Sequence, residues 1–303
     1  MQEKRKDGLD FTVIKRYSNN IPASGKRGTR RRMRMMEEEM NMKKWIALLL
    51  VLTLTLGASL AMADTFRMGI DPEYPPFSYL DENGAYAGFD VEMCKGVCDQ
   101  YGWELEIVPV NWDLKLVSLD AQEHDCVWSG MTILDSMKEA GYVLSFPYYD
   151  NTQVVLTKEG NGIASLADLA GKLVAVQLGT SGDQLLSDEE GQLALAKTFQ
   201  NGEQTRLESF VVCATELDAG LVDAVVVDLP VAQNLAKKYN GFVILEETLG
   251  SEQYGICFRK GDDELCKKVE DGIMKLVNDG TYLALAEKYG LDANVLCLLN
   301  TAE

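Results

Sequence analysis

Apolar and polar positions alternate with two periods along residues 64–303. Short period-two or wholly apolar runs predict strands at 65–70 (TFRMGI), 104–110 (ELEIVPV), 125–129 (DCVWS), 151–158 (NTQVVLTK), 172–178 (KLVAVQL), 205–210 (TRLESF), 223–227 (DAVVV), 242–247 (FVILEE) and 252–260 (EQYGICFRK). Stretches with a period near 3.6 predict helices at 89–102, 114–121, around SLADLA, at 181–199, over VVCATELDAG and over LPVAQNLAKKYN. A helical C-terminus runs from Asp262, with breaks near Gly280 and Gly290. Strands alternating with helices imply an α/β fold of mostly parallel sheets flanked by helices. No Pro-, Gly- or Ser-rich linker interrupts the pattern, so a boundary between lobes must be crossed by extended segments. The two candidates are the strands near 151–158 and 248–256.

The pattern is different before residue 64. Lys43 and Lys44 precede an apolar run from Trp45 to about Leu60, and Ala61-Met62-Ala63 fits a small-x-small cleavage site. These are the three parts of a secretory signal peptide, with cleavage near Ala63. An uncleaved membrane anchor is the competing reading, disfavoured by the run's length and its small-residue exit. Residues 1–41 resemble no export element. Their paired arginines give a weak twin-arginine cue, and Glu37–Glu39 argue against it. Three consecutive glutamates just before Met42 match what a purine-rich ribosome-binding site encodes when translated. Residues 1–41 are therefore read as an extension arising from a miscalled start site.

Charge sharpens the division. The 303-residue chain carries −18 at pH 7, yet residues 1–63 hold 13 Lys and Arg against 6 Asp and Glu. The remainder holds 16 bases against 41 acids, which excludes a nucleic-acid binder. An apolar fraction of 47% excludes a disordered chain. Seven cysteines without a C-x-x-C pair are too few for a disulfide scaffold. They read as core fillers with one or two bridges, Cys257, Cys266 and Cys297 being the foremost candidates to pair, whereas Cys94 and Cys98 are badly spaced for one. With a single histidine, His124, read as a surface turn residue, neither a metal site nor any other cofactor is expected.

In open α/β sheets ligands bind beyond the carboxyl ends of strands. Those ends carry Asp71 followed by Pro72 to Phe77; Asn111-Trp112-Asp113; Ser129-Gly130-Met131-Thr132; Gly179-Thr180-Ser181-Gly182 at a helix start; and Asp228. Carboxylates, aromatics, hydroxyls and a glycine-rich turn together suit a small zwitterion. Each has a plainer role: Asp71 and Asp228 as caps, Tyr74 and Trp112 as core aromatics, Thr180 and Ser181 as an ordinary N-cap.

DPEYPPFSYLDENGAYAGFDVEM, SGMTI, SFPYYDNTQVVL, LAGKLVAVQLGTSGD, LDAGLVDAVVVD, YGICFRKGD and LVNDGTYLALAEKYG, in that order and spacing, resemble the family 3 extracellular solute-binding proteins. The resemblance implies the two-lobed type II periplasmic-binding fold, joined by a two-segment hinge. Lobe 1 would comprise 64–154 and 253–303, and lobe 2 residues 155–252. It implies a periplasmic or secreted monomer that binds an amino acid or related amine by hinge closure and delivers it to the permease of an ABC transporter. Residue by residue, Asp71 matches the acid that meets an ammonium or side chain. Tyr74 and Trp112 match an aromatic sandwich. Ser129, Gly130 and Thr132 match the loop at the ligand's α-groups, Thr180 and Ser181 the carboxylate donors of the second lobe, and Asp228 the partner of the α-ammonium.

One position departs from the family. Its usual arginine shortly after the Thr-Ile is absent, and Met137 or Lys138 stands there. Lys138 is the expected substitute, a point charge without the bidentate fork of arginine. The alternative is an amine or polar solute without a carboxylate. An enzyme of the cyclohexadienyl dehydratase type and a sensor without transport are the rival functions. The lone histidine and the lack of a nucleophile–base set favour a binder over an enzyme.

Overall fold

The computed structural model describes residues 64–300, together with 34–36, 40 and 42. The extension at 1–41 and the signal peptide at 42–63 therefore fall almost entirely outside the described residues. Ala63–Glu303 forms one compact unit.

Strand β1 (Thr65–Ile70) opens it, followed by a small antiparallel sheet of β2 (Glu73–Tyr74), β3 (Ser78–Leu80) and β4 (Tyr86–Ala87). Helix α1 (Phe89–Tyr101) buries Phe89, Val91, Met93, Cys94, Val97 and Cys98. It ends at Gly102, which takes the left-handed conformation and donates its N–H to the Cys98 carbonyl. β5 (Glu104–Pro109) leads through a single 3-10 turn at Trp112–Leu114 into the short α2 (Lys115–Asp120). Then come β6 (Cys126–Thr132), α3 (Asp135–Glu139), β7 (Val143–Leu144) and the ten-residue β8 (Tyr149–Lys158).

The second run holds β9 (Val174–Gln177), α4 (Ser181–Ser187), α5 (Leu193–Ala196), β10 (Thr205–Leu207), α6 (Phe210–Ala219), β11 (Ala224–Asp228) and α7 (Leu229–Lys238). β12 (Phe242–Phe258) returns, and α8 (Asp263–Asn278) and α9 (Thr281–Lys288) close the chain against α1. The main sheet runs β10-β9-β11-β8-β12-β6-β1-β5, with β7 beside β12. Its two flanks, β10-β9-β11 and β6-β1-β5, are internally parallel, as the strand–helix alternation predicts. The two long central strands, β8 and β12, pair antiparallel with each other and with the flanks. They are the segments singled out as crossings.

Four local expectations are corrected. The two strands at 242–247 and 252–260 are one 17-residue strand, β12, whose register against β8 shifts between Ile244 and Gly250. The helix expected over 181–199 is interrupted. At Gly191 a Cβ would lie 2.5 Å from the Leu185 carbonyl, so the chain turns there with only hydrogen on the α-carbon. The strand at 205–210 stops at Leu207 because Ser209 caps α6, its hydroxyl accepting from the Val212 N–H at 3.2 Å. All seven cysteines are free, including Cys257, Cys266 and Cys297. Six of them are buried, and burial pushes the thiols of Cys257 and Cys266 up to about 12, which keeps them protonated fillers.

His124 is not a surface residue but fully buried. Its ring pairs with the Cys126 carbonyl at 3.0 Å and the Ser118 hydroxyl at 2.9 Å. It also fills the space beside Gly69 of β1, where a Cβ would come within 2.7 Å of Nδ1. Burial lowers its pKa, so it is a neutral packing residue.

Gly88, at the N-cap of α1, has φ 129°, and a Cβ there would sit 2.1 Å from the Phe77 carbonyl oxygen. Gly88→Ala is expected to destabilise the fold by about 2 kcal/mol or more. Urea unfolding monitored by circular dichroism checks it, and an unchanged midpoint would show that the backbone relaxes freely there.

Candidate functional site

A cavity opens where the carboxyl ends of β1, β6, β9 and β11 converge. Asp71, Tyr74, Trp112, Gly130, Thr132, Thr180, Ser181 and Asp228 line it, so eight of the ten residues expected from sequence come together. Ser129 sits just behind the wall. Its hydroxyl pairs with Ser78 Oγ at 2.6 Å and accepts from the Asp71 N–H at 3.1 Å, so it braces β1 rather than facing the cavity. Lys138 points away. Its side chain is 56% exposed and pairs with Asp135 at 3.0 Å on the surface of α3. Met137, buried, lines the cavity in its place.

Asp228 occupies the N-cap position of α7, yet its carboxylate makes no capping bond. It turns into the sheet instead. Oδ1 accepts from Asn151 Nδ2 at 2.6 Å, Gln153 Nε2 at 2.8 Å and the Tyr254 hydroxyl at 2.6 Å. Tyr74 and Tyr254 hydroxyls lie 2.8 Å apart. Because Tyr254 gives its proton to Asp228, Tyr74 donates to Tyr254, and the aromatic lid is fixed by a two-step chain ending on the carboxylate. Asn151 and Gln153 also donate to Glu252 Oε1, at 2.8 and 3.0 Å, and so do Thr132 and Ser181, both at 3.1 Å. Burial, then the charge of Glu252, pushes the Asp228 carboxyl up to about 7.

Asp71 combines a turn role with a cavity role. Oδ1 accepts from the Glu73 N–H at 2.8 Å, whereas Oδ2 accepts from Gln177 Nε2, at the end of β9, at 2.6 Å. Thr180 does cap α4, its Oγ1 accepting from the Asp183 N–H at 3.3 Å, so for this residue the plain N-cap role holds while it also lines the cavity. Gly130 adopts φ 54°, and its N–H donates to Asp90 Oδ2 at 2.7 Å. A Cβ at Gly130 would lie 2.4 Å from Tyr74 Cε1, so glycine is what lets the tyrosine ring close over the loop.

Sequence reading missed Lys115, Gln177 and Glu252. Lys115 is only 8% exposed and lines the cavity. Nζ donates to the Trp112 carbonyl at 3.0 Å and the Gly179 carbonyl at 2.7 Å, and it lies 4.7 Å from the centre of the Trp112 ring. Burial pulls its amino group down to about 8. A usable signal was present: Lys115 follows Trp112 by three residues on a helical path, so both fall on one face. Gln177 was also visible, as the polar end of the apolar strand VAVQ. Glu252 gave no signal, because its position depends on the antiparallel crossing of β12.

The model of the bacterial extracellular solute-binding proteins, family 3, matches residues 66–292. The chain belongs to this family. Among solute-binding relatives, it is 34% identical over 228 residues to the L-cystine-binding protein TcyJ of Escherichia coli K12, covering 74% of this chain and 82% of that one. It is similar to a histidine-bound substrate-binding protein of an ABC uptake transporter from Streptococcus pneumoniae, with TM-score 0.71, 26% identity and coverage of 74% and 92%. It is also similar to the ancestral amino acid-binding protein AncCDT-1, a precursor of cyclohexadienyl dehydratase, with TM-score 0.66, 34% identity and coverage of 74% and 95%. The type II periplasmic-binding fold of this solute-binding family is the fold seen here. Among the described residues no helix is long and apolar enough to cross a membrane, and no group of metal-ligating side chains gathers.

Asp90 and Asp228 both sit at about 7 in the folded chain, burial being the main cause, against about 4 for an unfolded aspartate. The folded state therefore binds more protons between those values, and stability falls as pH rises from 4 to 7. The ligand-free protein is expected to melt lower at pH 8 than at pH 5, and Asp228→Asn to reduce that drop. Calorimetry across this pH range tests it, and an equal drop in the variant would remove Asp228 as a source.

Proposed function

We propose that this protein is the amino-acid-binding component of an ABC importer, exported after cleavage near Ala63 and working as a monomer with a membrane permease. The observation that carries the reading is the combination within one cavity of two buried carboxylates, Asp71 and Asp228, two aromatic walls, Tyr74 and Trp112, and the ammonium of Lys115. A molecule with an ammonium, a carboxylate and an apolar stem satisfies all three elements. The L-cystine-binding relative and the histidine-bound solute-binding protein fit the same chemistry.

The mechanism proposed is closure of two lobes, 64–154 with 253–303 against 155–252, about β8 and β12. Contacts from both sets of residues already meet across the cavity: Gln177 with Asp71, and Lys115 with the Gly179 carbonyl. A ligand held by Asp228 from one side and by Tyr74 and Trp112 from the other adds contacts only when the cleft is shut, so it shifts the population toward the closed form. Gly179 supports this geometry. Its φ is +74°, and a Cβ would lie 2.8 Å from Asp113 Cα on the opposite rim.

The protein is read as a binder and not a catalyst. The described cavity residues include neither histidine nor cysteine, so no nucleophile–base pair is assembled among them. Prephenate and arogenate are expected to yield no product.

A thermal-shift screen over amino acids, amines and small polar solutes tests the reading. A saturating amino acid should raise the melting temperature by about 5 °C or more. Asp228→Ala should weaken binding of that ligand at least 100-fold without unfolding the protein, and Lys138→Ala should leave it unchanged. Gly179→Ala should weaken binding of every ligand by obstructing closure. A screen in which only solutes lacking an amino group bind would reject the amino-acid reading.

A further inference from the structure

The cavity is rich in acid and poor in base. Asp71 and Asp228 line it, and Glu252 shares the amide donors of Asp228. Among the described residues that line it, Lys115 is the single cation. Its burial is unusual because lysine is seldom held this far from water without an acidic partner. Asp113 and Asp71 favour its charge from a distance, but Lys115 makes no direct ion pair with a described residue, and its two hydrogen-bond acceptors are neutral carbonyls, one on each rim of the cleft. An ammonium has three N–H donors, so one remains after both carbonyls are served. Trp112, 4.7 Å away, keeps the charge in place without neutralising it. Met131, Leu134 and Met137 add apolar side chains to the lining, and the Thr180 and Ser181 hydroxyls already donate to the Gln177 carbonyl and to Glu252.

Resting on the reading of an amino-acid binder, we infer that Lys115 is the residue that receives the ligand's carboxylate, and that it thereby makes the site selective for amino acids over the amines that share their other end. Asp228 and Asp71 attract an ammonium and discriminate poorly between the two classes. The remaining Lys115 N–H supplies the discrimination, since a buried ammonium and a carboxylate form a charge-assisted bond that an amine lacks. The two carbonyl bonds hold Nζ at the junction of both rims, so the pairing is complete only in the closed arrangement.

A structural alternative is that Lys115 merely latches the rims through Gly179. The two roles separate by ligand class. Affinities of the wild type, Lys115→Met and Lys115→Arg are to be measured by calorimetry for three pairs: L-histidine with histamine, L-arginine with agmatine, and L-cystine with cystamine. The expected result is that Lys115→Met weakens the bound amino acid about 10- to 100-fold while its decarboxylated partner changes less than threefold. Lys115→Arg should retain most of the preference. Equal losses for both members of a pair would overturn the inference in favour of a latch, and so would no loss for either. If the wild type binds none of the amino acids, the functional reading itself fails, which is a different outcome from an amino acid bound equally by wild type and variant. Should Lys115→Met fail to fold, lysine-labelled wild-type protein keeps the test open. The Lys115 side-chain NMR signal, identified by its loss in Lys115→Arg, should titrate at higher pH on binding the amino acid and not on binding the amine; no such difference would overturn the inference.

Discussion

Two carboxylates held in one hydrogen-bonded network, Asp228 buried and Glu252 half-buried, set the terms for the rest of this molecule. Asp228 and Glu252 share the amide groups of Asn151 and Gln153, with distances between 2.6 and 3.0 Å. Like charges this near each other, with Asp228 fully shielded from water, oppose ionisation, and the Asp228 carboxyl accordingly rises to about 7. An arrangement of this kind is tolerated only when every available donor is aimed at it. The donors come from β8, β12, the end of β6, the start of α4 and, through Tyr74, from β2. The network therefore joins the ends of strands that are distant in sequence, and it leaves a site that gains from an incoming cation.

The two long central strands make that convergence possible. β8 and β12 are the only main-sheet strands of ten residues or more among those described, and they pair antiparallel between two parallel flanks. Each flank delivers its strand ends, with Asp71 and Gly130 on one side and Gln177 and Asp228 on the other. The bulged register of β12 between Ile244 and Gly250 re-aims its later residues, and Glu252 and Tyr254 reach the network from there. Charge balance in the cavity follows from the same arrangement: carboxylates arrive on strand ends, and Lys115, the single cation among the described lining residues, arrives at the start of α2.

Much of this was legible in the residues themselves. A strand end followed by Asp or a glycine-rich turn marks a site whichever strands lie beside it, and eight such residues proved to share one cavity. The short apolar runs VAV and AVVV, rich in β-branched valine, read as buried strands, and period-two and period-3.6 segments fix most elements without reference to neighbours. The break at Gly102 is likewise local chemistry. Sequence spacing by itself thus determined the order of strands and helices, the α/β class and the acids and aromatics at the strand ends.

What it left undecided depended on which chain segments meet. Met137 and Lys138 are neighbours, and only the packing of α3 turns the first into the cavity and the second into water. His124 reads as a turn residue until β1 is laid beside it with a glycine that makes room for its ring. One or two bridges are expected among the seven thiols, yet the structure leaves all of them free and buries six. Lys115 became a site residue only because Gly179, 64 positions later, brings a carbonyl within 2.7 Å of its ammonium. Local pattern fixes what a segment is, because it depends on neighbours a few residues away. The electrostatic partner of a buried charge is fixed by contacts between distant segments, and only the tertiary structure supplies those.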